Sequence, residues 1–394
     1  MEGCCGMMGD DRRYIIFGAG VYGRKAFEEY GEERVAGFMD NSPQKQGTFL
    51  YGKPVMRVED VLPQKENYHI VIASLYVASM EKQLKELGIE DYTVYAEPLH
   101  RFLDTDELIY NQYEVTAEAR SESEWNNSER IKYMRRAVFD EVERLYNNQP
   151  LFDNIEVETI NRCNGSCSFC PVNRNADPRE KKVMSRELFE RIVSQLEEIN
   201  YSGRFTTYSN NEPLLDERIV AFNQFARKHL PNARMHMFTN GTLLTLDKFI
   251  ALTDVLDELI IDNYHQQLKL IKPCEQIKEY CEAHPELKKK VTISLRKPQE
   301  ILTSRGGTAP NRKELMDYGK ERCVLPFKQM IVRPDGKISL CCNDALGRFT
   351  LGDAGKEGLL DIWYGSRFQM VRKCLYEGRQ NWGNCKNCDT FMIG

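Results

Sequence analysis

The sequence predicts an α/β protein with an N-terminal parallel sheet, a central series of β/α units and a small cysteine-rich C-terminal domain. Three observations lead to this fold class. Short apolar runs alternate with helix-forming stretches through the first hundred residues and again from 155 to 295. A charged connector separates the two series, and cysteines flank a hairpin pattern near the C-terminus. We therefore expect four segments, at 1–98, 99–150, 151–305 and 306–394.

The composition limits the classes of function. The 394 residues are 41% hydrophobic and 29% charged, and the net charge of −5 offers no basic surface for nucleic acid. No apolar run is long enough to span a bilayer, and residues 1–10 lack the parts of a secretory signal. We therefore expect a cytoplasmic protein without a membrane partner. Thirteen cysteines in a reducing compartment favour metal or redox chemistry over disulfides.

The first β/α unit carries the pattern G-x-G-x-x-G at Gly18, Gly20 and Gly23, and its second strand ends at Asp40. Such glycines let a phosphate approach the N-terminus of the following helix, where free N–H groups favour anions. Asp40 would then accept hydrogen bonds from a ribose diol. The predicted strands cover 14–17, 35–39, 69–73 and 93–95, and the predicted helices 24–30 and 77–87. This order of elements predicts a Rossmann-like domain.

Residues 18–23, the segment 37–43 and Gly47 resemble the Rossmann-like domains attached to sugar-modifying enzymes of glycan assembly. The resemblance implies that the domain binds a nucleotide-linked sugar or a dinucleotide such as NAD. The alternative is a sheet that has lost its ligand and serves docking, because a fold alone does not establish a function.

The connector and the central segment contain the next elements. Apolar residues recur at steps of three and four from 128 to 146, which predicts an amphipathic helix in the connector. Further strands are predicted at 155–160, 204–208, 234–238, 258–261 and 291–295, with helices at 185–199, 216–230 and 246–256. Repeated β/α units of this length predict a parallel barrel. Chemistry in such barrels collects at the C-terminal ends of the strands.

Three thiols follow the first of these central strands. Cys163, Cys167 and Cys170 are spaced C-x3-C-x2-C, and Phe169 precedes the last. Three thiolates can hold three irons of a [4Fe–4S] cluster and leave the fourth iron open. The spacing and the aromatic residue resemble the signature of the radical SAM superfamily, which implies a partial (β/α)6 barrel. It also implies that S-adenosylmethionine (SAM) binds the open iron, near Phe169, and is cleaved to a 5′-deoxyadenosyl radical. The alternative is a structural zinc loop, although zinc sites usually close with four ligands.

Polar segments follow the second and third central strands. Asn210, Asn211 and Glu212 occupy the place of the superfamily's Gly-Gly-Glu-Pro motif, and Asn240 lies in a Thr-Asn-Gly segment that is frequent there. The resemblance implies that these residues bind SAM, with Glu212 on its ammonium group. We expect the turn to survive the loss of both glycines because Asn tolerates left-handed backbone. The alternatives are that Glu212 caps the following helix and that Asn240 belongs to a simple turn.

Other side chains at the strand ends are weaker candidates. Arg296 and Arg305 could hold a carboxylate or phosphate with a bidentate guanidinium, or could be surface ion pairs. Tyr208 and Tyr264 could line the pocket.

The C-terminal segment holds four more spaced cysteines. Cys323, Cys341, Cys385 and Cys388 supply enough thiols to close a second cluster, and Cys342 could exchange with Cys341. A Gly-x4-Cys spacing after a hairpin turn and the terminal C-x2-C resemble the SPASM/twitch extension of radical SAM enzymes. The resemblance implies the shorter twitch form with one auxiliary [4Fe–4S] cluster. The alternative is a zinc ribbon, which the seventeen residues between the first pair disfavour.

The four-cysteine arrangement is similar to that of radical SAM dehydrogenases that oxidise aminocyclitols. It implies hydrogen abstraction from a sugar-like or cyclitol substrate, leading to oxidation or epimerisation, with an electron passing to the auxiliary cluster. Epimerisation would need a hydrogen donor such as the thiol of Cys274 or Cys281, which could instead be packing residues. A one-electron donor such as flavodoxin or ferredoxin is the expected partner. The alternatives are an enzyme that modifies peptide side chains and a non-catalytic zinc scaffold.

Overall fold

A computed structural model shows the chain as two compact units. The structure describes residues 12–74, 77–95, 108–111, 113, 138–139, 141–313 and 315–390. One unit consists of residues 1–98 with 198–202, and the other of residues 99–197 with 203–394. The predicted barrel and the predicted C-terminal domain therefore belong to the same compact unit. The predicted helix at 128–146 lies largely outside the described residues, and residues 141–148 are helical.

The N-terminal unit is a six-stranded sheet in the order β3-β4-β2-β1-β5-β6. Its strands are β1 Arg13–Phe17, β2 Val35–Met39, β3 Phe49–Leu50, β4 Lys53–Met56, β5 Tyr68–Ile72 and β6 Tyr92–Val94. Its helices are α1 Val21–Tyr30, α2 Val58–Val61 and α3 Val77–Glu86. All pairs are parallel except β3 with β4. Because alternate residues of β1 enter different apolar clusters, both faces of this largely parallel sheet are covered, as in the predicted fold. The Rossmann-like assignment stays a prediction.

The second unit contains a nine-stranded sheet in the order β15-β14-β13-β8-β9-β10-β11-β12-β7. Its strands are β7 Ile109–Tyr110, β8 Asn154–Val157, β9 Arg204–Thr206, β10 Arg234–Thr239, β11 Glu258–Tyr264, β12 Val291–Arg296, β13 Gln329–Val332, β14 Lys337–Ser339 and β15 Gly352–Asp353. Its helices include α4 Arg186–Glu198, α5 Ile219–His229, α6 Leu246–Thr253, α7 Lys272–Ala283, α8 Leu325–Lys328, α9 Leu359–Trp363 and α10 Ser366–Glu377.

Six parallel strands from β8 to β7 form the partial (β/α)6 barrel that the sequence predicts. Five of these strands lie where the sequence places them. The sixth, β7, comes from the connector, which we expected to be helical, and Ile109 pairs with Ile293 of β12. Two residues are too few to show an alternating pattern, so the sequence could not reveal this strand.

The predicted hairpin near the C-terminus is confirmed, and it extends the barrel sheet. β14 pairs antiparallel with β13, and β13 pairs parallel with β8, where Met330 lies opposite Ile155. The predicted boundary between 305 and 306 therefore separates two segments that share one sheet.

The two faces of the barrel sheet differ in chemistry. On β9, Phe205 packs against Phe189 of α4, with 6.3 Å between ring centroids. The opposite face carries polar and aromatic side chains that contact one another across strands. Tyr208, just after β9, lies 5.9 Å from His236 and 5.2 Å from Phe238 of β10, measured between ring centroids. We call this face, which is lined by alternate residues of β8 to β12, the polar face.

No helix among the described residues combines the length and the apolar character that crossing a membrane requires. The cytoplasmic location stays a prediction.

Candidate active site

The loop that carries the first three thiols follows β8 and is shaped by hydrogen bonds to its carbonyls. Nδ2 of Asn173 donates to the carbonyl of Cys167 at 3.0 Å and to that of Cys170 at 2.7 Å. The amide of Ser168 donates to the carbonyl of Pro298 at 2.9 Å. Asn173 is 6% exposed, and sequence reasoning missed it because Asn in a loop is ordinarily a turn residue.

The thiols of this loop gather around Gly165. A Cβ atom at Gly165 would lie 3.3 Å from Sγ of Cys163 and 3.9 Å from Sγ of Cys167. The amide of Gly165 also donates to Sγ of Cys163 at 3.3 Å. Cys170 is close enough to influence the pKa of both other thiols. One small loop therefore brings together the three sulfur donors that an iron–sulfur cluster with an open iron needs.

Burial affects the protonation of these thiols. It raises the pKa of Cys163 to about 11 and that of Cys167 to about 12. A metal must therefore displace protons from them at neutral pH. Among the described residues, no group of three or more His, Cys, Asp or Glu side chains is placed so that it could bind one metal ion. In a cubane cluster each thiolate binds a different iron. The three sulfurs of this loop, one of which accepts an N–H···S hydrogen bond, fit a [4Fe–4S] cluster with an open iron.

Glu212 is 2% exposed and is held by three donors. Its Oε1 accepts from Oγ1 of Thr239 at 2.7 Å and from the amide of Leu214 at 3.1 Å, and its Oε2 accepts from the amide of Asn240 at 2.7 Å. Its own amide donates to the carbonyl of Arg162, directly before the cysteine loop, at 2.9 Å. Burial raises the pKa of Glu212. The capping alternative is confirmed, since Leu214 belongs to the 3-10 helix that follows.

Asn240 connects Glu212 to the cysteine loop. Its Nδ2 donates to Oδ1 of Asn164 at 2.7 Å, and its Oδ1 accepts from the amide and the hydroxyl of Thr242 at 3.0 and 2.6 Å. Nδ2 of Asn164 in turn donates to Oγ1 of Thr242 at 2.9 Å. The structure therefore brings three sequence-predicted segments into one hydrogen-bonded group.

Asn210 and Asn211 do not adopt the left-handed backbone that we expected, because neither has a positive φ. Oδ1 of Asn211 instead accepts from the amide of Ser209 at 2.9 Å and closes the turn through its side chain. Nδ2 of Asn210 donates to the carbonyl of Cys342 at 3.1 Å, and its Oδ1 accepts from Arg305. Asn210 therefore connects the predicted SAM turn to the C-terminal cysteine region.

The ends of β11 and β12 place a second polar group beside the cysteine loop. The ring of Phe169 lies 6.2 Å from that of Tyr264, measured between centroids. Asp262 lies two residues before Tyr264 on the same strand, and its Oδ1 is 4.0 Å from Nη1 of Arg296. Nη2 of Arg296 is 3.5 Å from Oε2 of Glu300. Burial raises the pKa of Asp262 to about 6, although the positive charge of Arg296 acts to lower it.

Glu156 of β8 also lies on the polar face, 6% exposed. Its Oε2 accepts from Oγ of Ser209 at 2.6 Å, and its Oε1 accepts from Nδ2 of Asn154 at 3.1 Å. Burial raises its pKa. Sequence reasoning missed Glu156 because an acidic residue in an alternating strand is typical of the solvent-exposed face.

The four predicted C-terminal cysteines share one buried region. Cys341 and Cys388 are each 8% exposed. Burial raises the pKa of Cys341 well above its usual range, and the neighbouring thiols of Cys342, Cys323, Cys388 and Cys385 raise it further. The amide of Cys388 donates to the carbonyl of Cys385 at 3.0 Å, which forms the C-x2-C turn. The four thiols therefore lie near one another, and their role as the ligands of one closed cluster stays a prediction.

Arg379 is 1% exposed and joins the segments that carry these cysteines. Its Nε donates to the carbonyl of Arg322 at 3.1 Å, its Nη2 to the carbonyl of Thr390 at 2.8 Å, and its Nη1 to the carbonyl of Cys388. The guanidinium thus holds the chain before Cys323 against the chain around Cys388. Sequence reasoning missed it because arginine is rarely fully buried.

The remaining described cysteines have different surroundings. Besides burial, Glu156 has the largest influence on the pKa of Cys342, which rises to about 12. Cys274 and Cys281 are each 0% exposed and share the buried face of α7 with Ile277, which confirms that they are packing residues. The use of Cys341 rather than Cys342 in the second set stays a prediction.

The glycine turn of the N-terminal unit has the close approaches expected of its pattern. Gly18 has a φ of +117°, and a Cβ there would lie 2.5 Å from the carbonyl oxygen of Ala73. A Cβ at Gly23 would lie 1.8 Å from the carbonyl oxygen of Gly18. Gly20 faces open space at the N-terminus of α1. The first and third glycines are therefore needed for packing, and the second leaves room for a ligand.

Asp40 has partners within its own unit. Its Oδ2 accepts from the amide of Ala19 at 2.8 Å and from Nζ of Lys45 at 2.9 Å, and its Oδ1 accepts from the amide of Ser42 at 2.8 Å. Its 7% exposure leaves little of the carboxylate for a ribose diol. Asp40 therefore stabilises the glycine turn, and its predicted ligand role stays a prediction.

Comparison with known proteins adds independent findings. Residues 157–273 match the radical SAM superfamily, and residues 323–389 match SPASM, described as an iron–sulfur cluster-binding domain. The chain is 27% identical over 244 residues to S-adenosyl-L-methionine-dependent 2-deoxy-scyllo-inosamine dehydrogenase of Niallia circulans, a match that covers 62% of this chain and 95% of that enzyme.

A solved structure of 27% identity agrees with this result. The crystal structure of BtrN in complex with AdoMet and 2-DOIA has a TM-score of 0.52 and 27% identity, covering 61% of this chain and 94% of that one. The structure of BtrN in an open conformation has a TM-score of 0.46 and 24% identity over 61% of this chain and 93% of that one. Together with the three-thiol loop and its barrel, these matches identify residues 157–273 as a radical SAM domain and residues 323–389 as a SPASM iron–sulfur cluster-binding domain, and they support a radical SAM oxidoreductase that uses SAM and iron–sulfur clusters.

Proposed function

We propose that this enzyme oxidises a carbinol group of a sugar-like or cyclitol substrate to a ketone. The observation that carries the proposal is the similarity over 95% of an aminocyclitol dehydrogenase. When bound, SAM and its cluster supply the radical that removes a hydrogen atom, and the second cluster supplies a one-electron acceptor. We favour oxidation over epimerisation because Cys274 and Cys281, the thiols considered as hydrogen donors, are fully buried packing residues.

We assign the cofactors to the following residues. Cys163, Cys167 and Cys170 would hold the cluster with the open iron, and Cys323, Cys341, Cys385 and Cys388 the closed one. Phe169, Asn210, Asn211, Glu212 and Asn240 would surround SAM. Glu212 accepts three protein hydrogen bonds, and its carboxylate has lone pairs left for the ammonium group.

The polar face would hold the substrate. Glu156 and Tyr208 lie on one side of it, and Tyr264 and Arg296 on the other, next to the cysteine loop. Convergent carboxylate, hydroxyl and guanidinium groups suit a small molecule that carries several hydroxyl or amino groups. This chemistry supports a sugar-like substrate over a peptide.

For the N-terminal unit we propose a nucleotide-linked sugar or NAD as the ligand, with its phosphate at the N-terminus of α1 beside Gly20. The carboxylate of Asp40 is engaged by three donors, so we expect the ribose to bind elsewhere. Calorimetric titration of the full chain with NAD and with UDP-glucose tests this proposal. If neither compound produces a heat of binding, docking remains the function of this unit.

The proposed reaction is tested with anaerobically reconstituted enzyme and a one-electron donor, either flavodoxin or ferredoxin. Two cubane clusters correspond to about eight irons per chain, whereas a zinc scaffold would contain zinc. The assay measures 5′-deoxyadenosine and ketone formation with 2-deoxy-scyllo-inosamine, glucosamine, UDP-glucose and a short Ser- and Cys-containing peptide. We expect an aminocyclitol or sugar to accelerate both. Acceleration by the peptide and by none of the other compounds would refute the proposal.

A further inference from the structure

Among the buried polar atoms of the barrel strands that have no hydrogen-bond partner, two lie near the C-terminal ends of neighbouring strands. They are Oδ1 of Asp262, on β11, and Nε of Arg296, the last residue of β12. The side chains are 17% and 14% exposed, respectively. A buried acceptor or donor that makes no hydrogen bond destabilises the folded protein. A pair of such atoms at the candidate active site therefore indicates a ligand that satisfies both.

The two atoms need opposite partners. A carboxylate oxygen can only accept a hydrogen bond, and the guanidinium Nε–H can only donate one. Asp262 and Arg296 approach each other to 4.0 Å between Oδ1 and Nη1, which is too far for a hydrogen bond. A hydroxyl group is both a donor and an acceptor, so a single hydroxyl between them would satisfy Asp262 and Arg296 together.

Other acidic side chains nearby already have their partners. Both oxygens of Glu156 and both oxygens of Glu212 accept hydrogen bonds from protein groups. Glu300 accepts from the amide of Lys297 at 2.8 Å and faces Arg296. Asp262 differs from Glu156, Glu212 and Glu300 because its Oδ1 accepts no hydrogen bond from the protein.

We propose that Asp262 and Arg296 bind the carbinol hydroxyl of the substrate and that Asp262 accepts its proton during oxidation. This inference rests on the proposed dehydrogenase function. The carbinol carbon gives its hydrogen atom to the 5′-deoxyadenosyl group derived from SAM. The hydroxyl then gives its proton to Asp262, one electron passes to the second cluster, and the C=O bond forms. The alcohol thus loses one hydrogen atom, one proton and one electron, and each has a named acceptor.

The position of Asp262 suits this role. Its charge influences the pKa of Cys167 in the cysteine loop and of Tyr208 on the polar face, so it lies between the cofactor residues and the proposed substrate face. Burial also raises its pKa to about 6, which makes it a stronger base than an exposed aspartate. The hydroxyls of the SAM ribose have the same chemistry as a carbinol. The experiment must therefore distinguish a substrate hydroxyl from a SAM ribose hydroxyl as the group that Asp262 binds.

The test uses the reconstituted holoenzyme, SAM and 2-deoxy-scyllo-inosamine deuterated at its carbinol carbons. Asp262→Asn keeps the size of the side chain but removes its ability to take a proton. We expect deuterium transfer to 5′-deoxyadenosine to continue, while ketone yield falls by about 100-fold, as for loss of a general base. Asp262→Glu should restore part of the ketone yield. Glu275→Gln, on an exposed position of α7, is the control and should match the wild type in both readouts.

Binding to the unreduced, SAM-loaded enzyme provides a readout without turnover. Asp262→Asn should weaken binding of 2-deoxy-scyllo-inosamine and leave SAM affinity unchanged. Weakened SAM binding in this variant would assign Asp262 to the ribose and overturn the proposal. Unchanged ketone yield would overturn the role of Asp262 and leave the dehydrogenase function intact. A wild-type enzyme that transfers deuterium but forms no ketone would overturn both.

Discussion

The two cysteine centres of this protein are built in opposite ways. The first places three thiols on one loop, at 163–170, whose carbonyls are held by Asn173. The second collects four thiols from positions between 323 and 388, and its separate segments are joined by the buried Arg379. Bringing distant residues together costs more chain entropy than closing a short loop. The first centre therefore depends mainly on local spacing, and the second on the tertiary fold around it.

Loss of one thiol from the first centre should have the largest effect, because SAM cleavage depends on that centre alone. Cys163→Ala removes one of three donors to the cluster with the open iron, so SAM cleavage should fall to background. The measurement is 5′-deoxyadenosine formed by the reduced enzyme. Cys374→Ala, which changes a partly exposed cysteine outside both sets, should cleave SAM normally. Cleavage that persists in Cys163→Ala would contradict the assignment of the first centre.

Cys385→Ala tests the second centre alone. Because its thiol belongs to the closed set, we expect SAM cleavage to continue with substrate present while ketone formation is lost. Iron per chain should fall by about half, since one of two four-iron clusters is lost. An unaltered ketone yield would remove the second centre from the mechanism.

Arg379→Met tests whether the second centre depends on its tertiary support. The substitution leaves buried carbonyls without donors, so we expect a loss of about 2 kcal/mol in the free energy of unfolding. Iron should be lost from the second centre while SAM cleavage is retained. Arg367→Met, at an exposed position of α10, is the matched control. Equal iron content in both variants would show that the second centre does not depend on Arg379.

Gly165→Ala is the smallest change and tests the local character of the first centre. The added methyl group would lie 3.3 Å from Sγ of Cys163, so the thiol must shift by a few tenths of an ångström. We expect partial loss of SAM cleavage, with about 1 kcal/mol of overpacking, and normal iron in the second centre. Gly20→Ala, which meets open space, should change neither centre. Full SAM cleavage in Gly165→Ala would show that the loop adapts to the methyl group.

Much of the fold could be predicted because its signals are periodic and local. Four of the six strands of the N-terminal sheet, five of six barrel strands and the C-terminal hairpin follow from apolar runs and turn residues, whereas β3 and β4 were not predicted. The strand β7 was not predicted, because two residues cannot show an alternating apolar pattern. At Asn210 and Asn211 the sequence indicated a turn but not its backbone, since side-chain hydrogen bonds can replace a left-handed residue.

The sequence by itself determined the chemistry of this protein, since the C-x3-C-x2-C spacing and the four later cysteines specify sulfur donors whatever surrounds them. Only the tertiary structure decided which polar side chains are buried together. Glu156, Asp262 and Arg379 are ordinary charged residues along the chain, and they matter because strand pairing and packing remove them from water. Burial depends on contacts between distant segments, so no local pattern could reveal them.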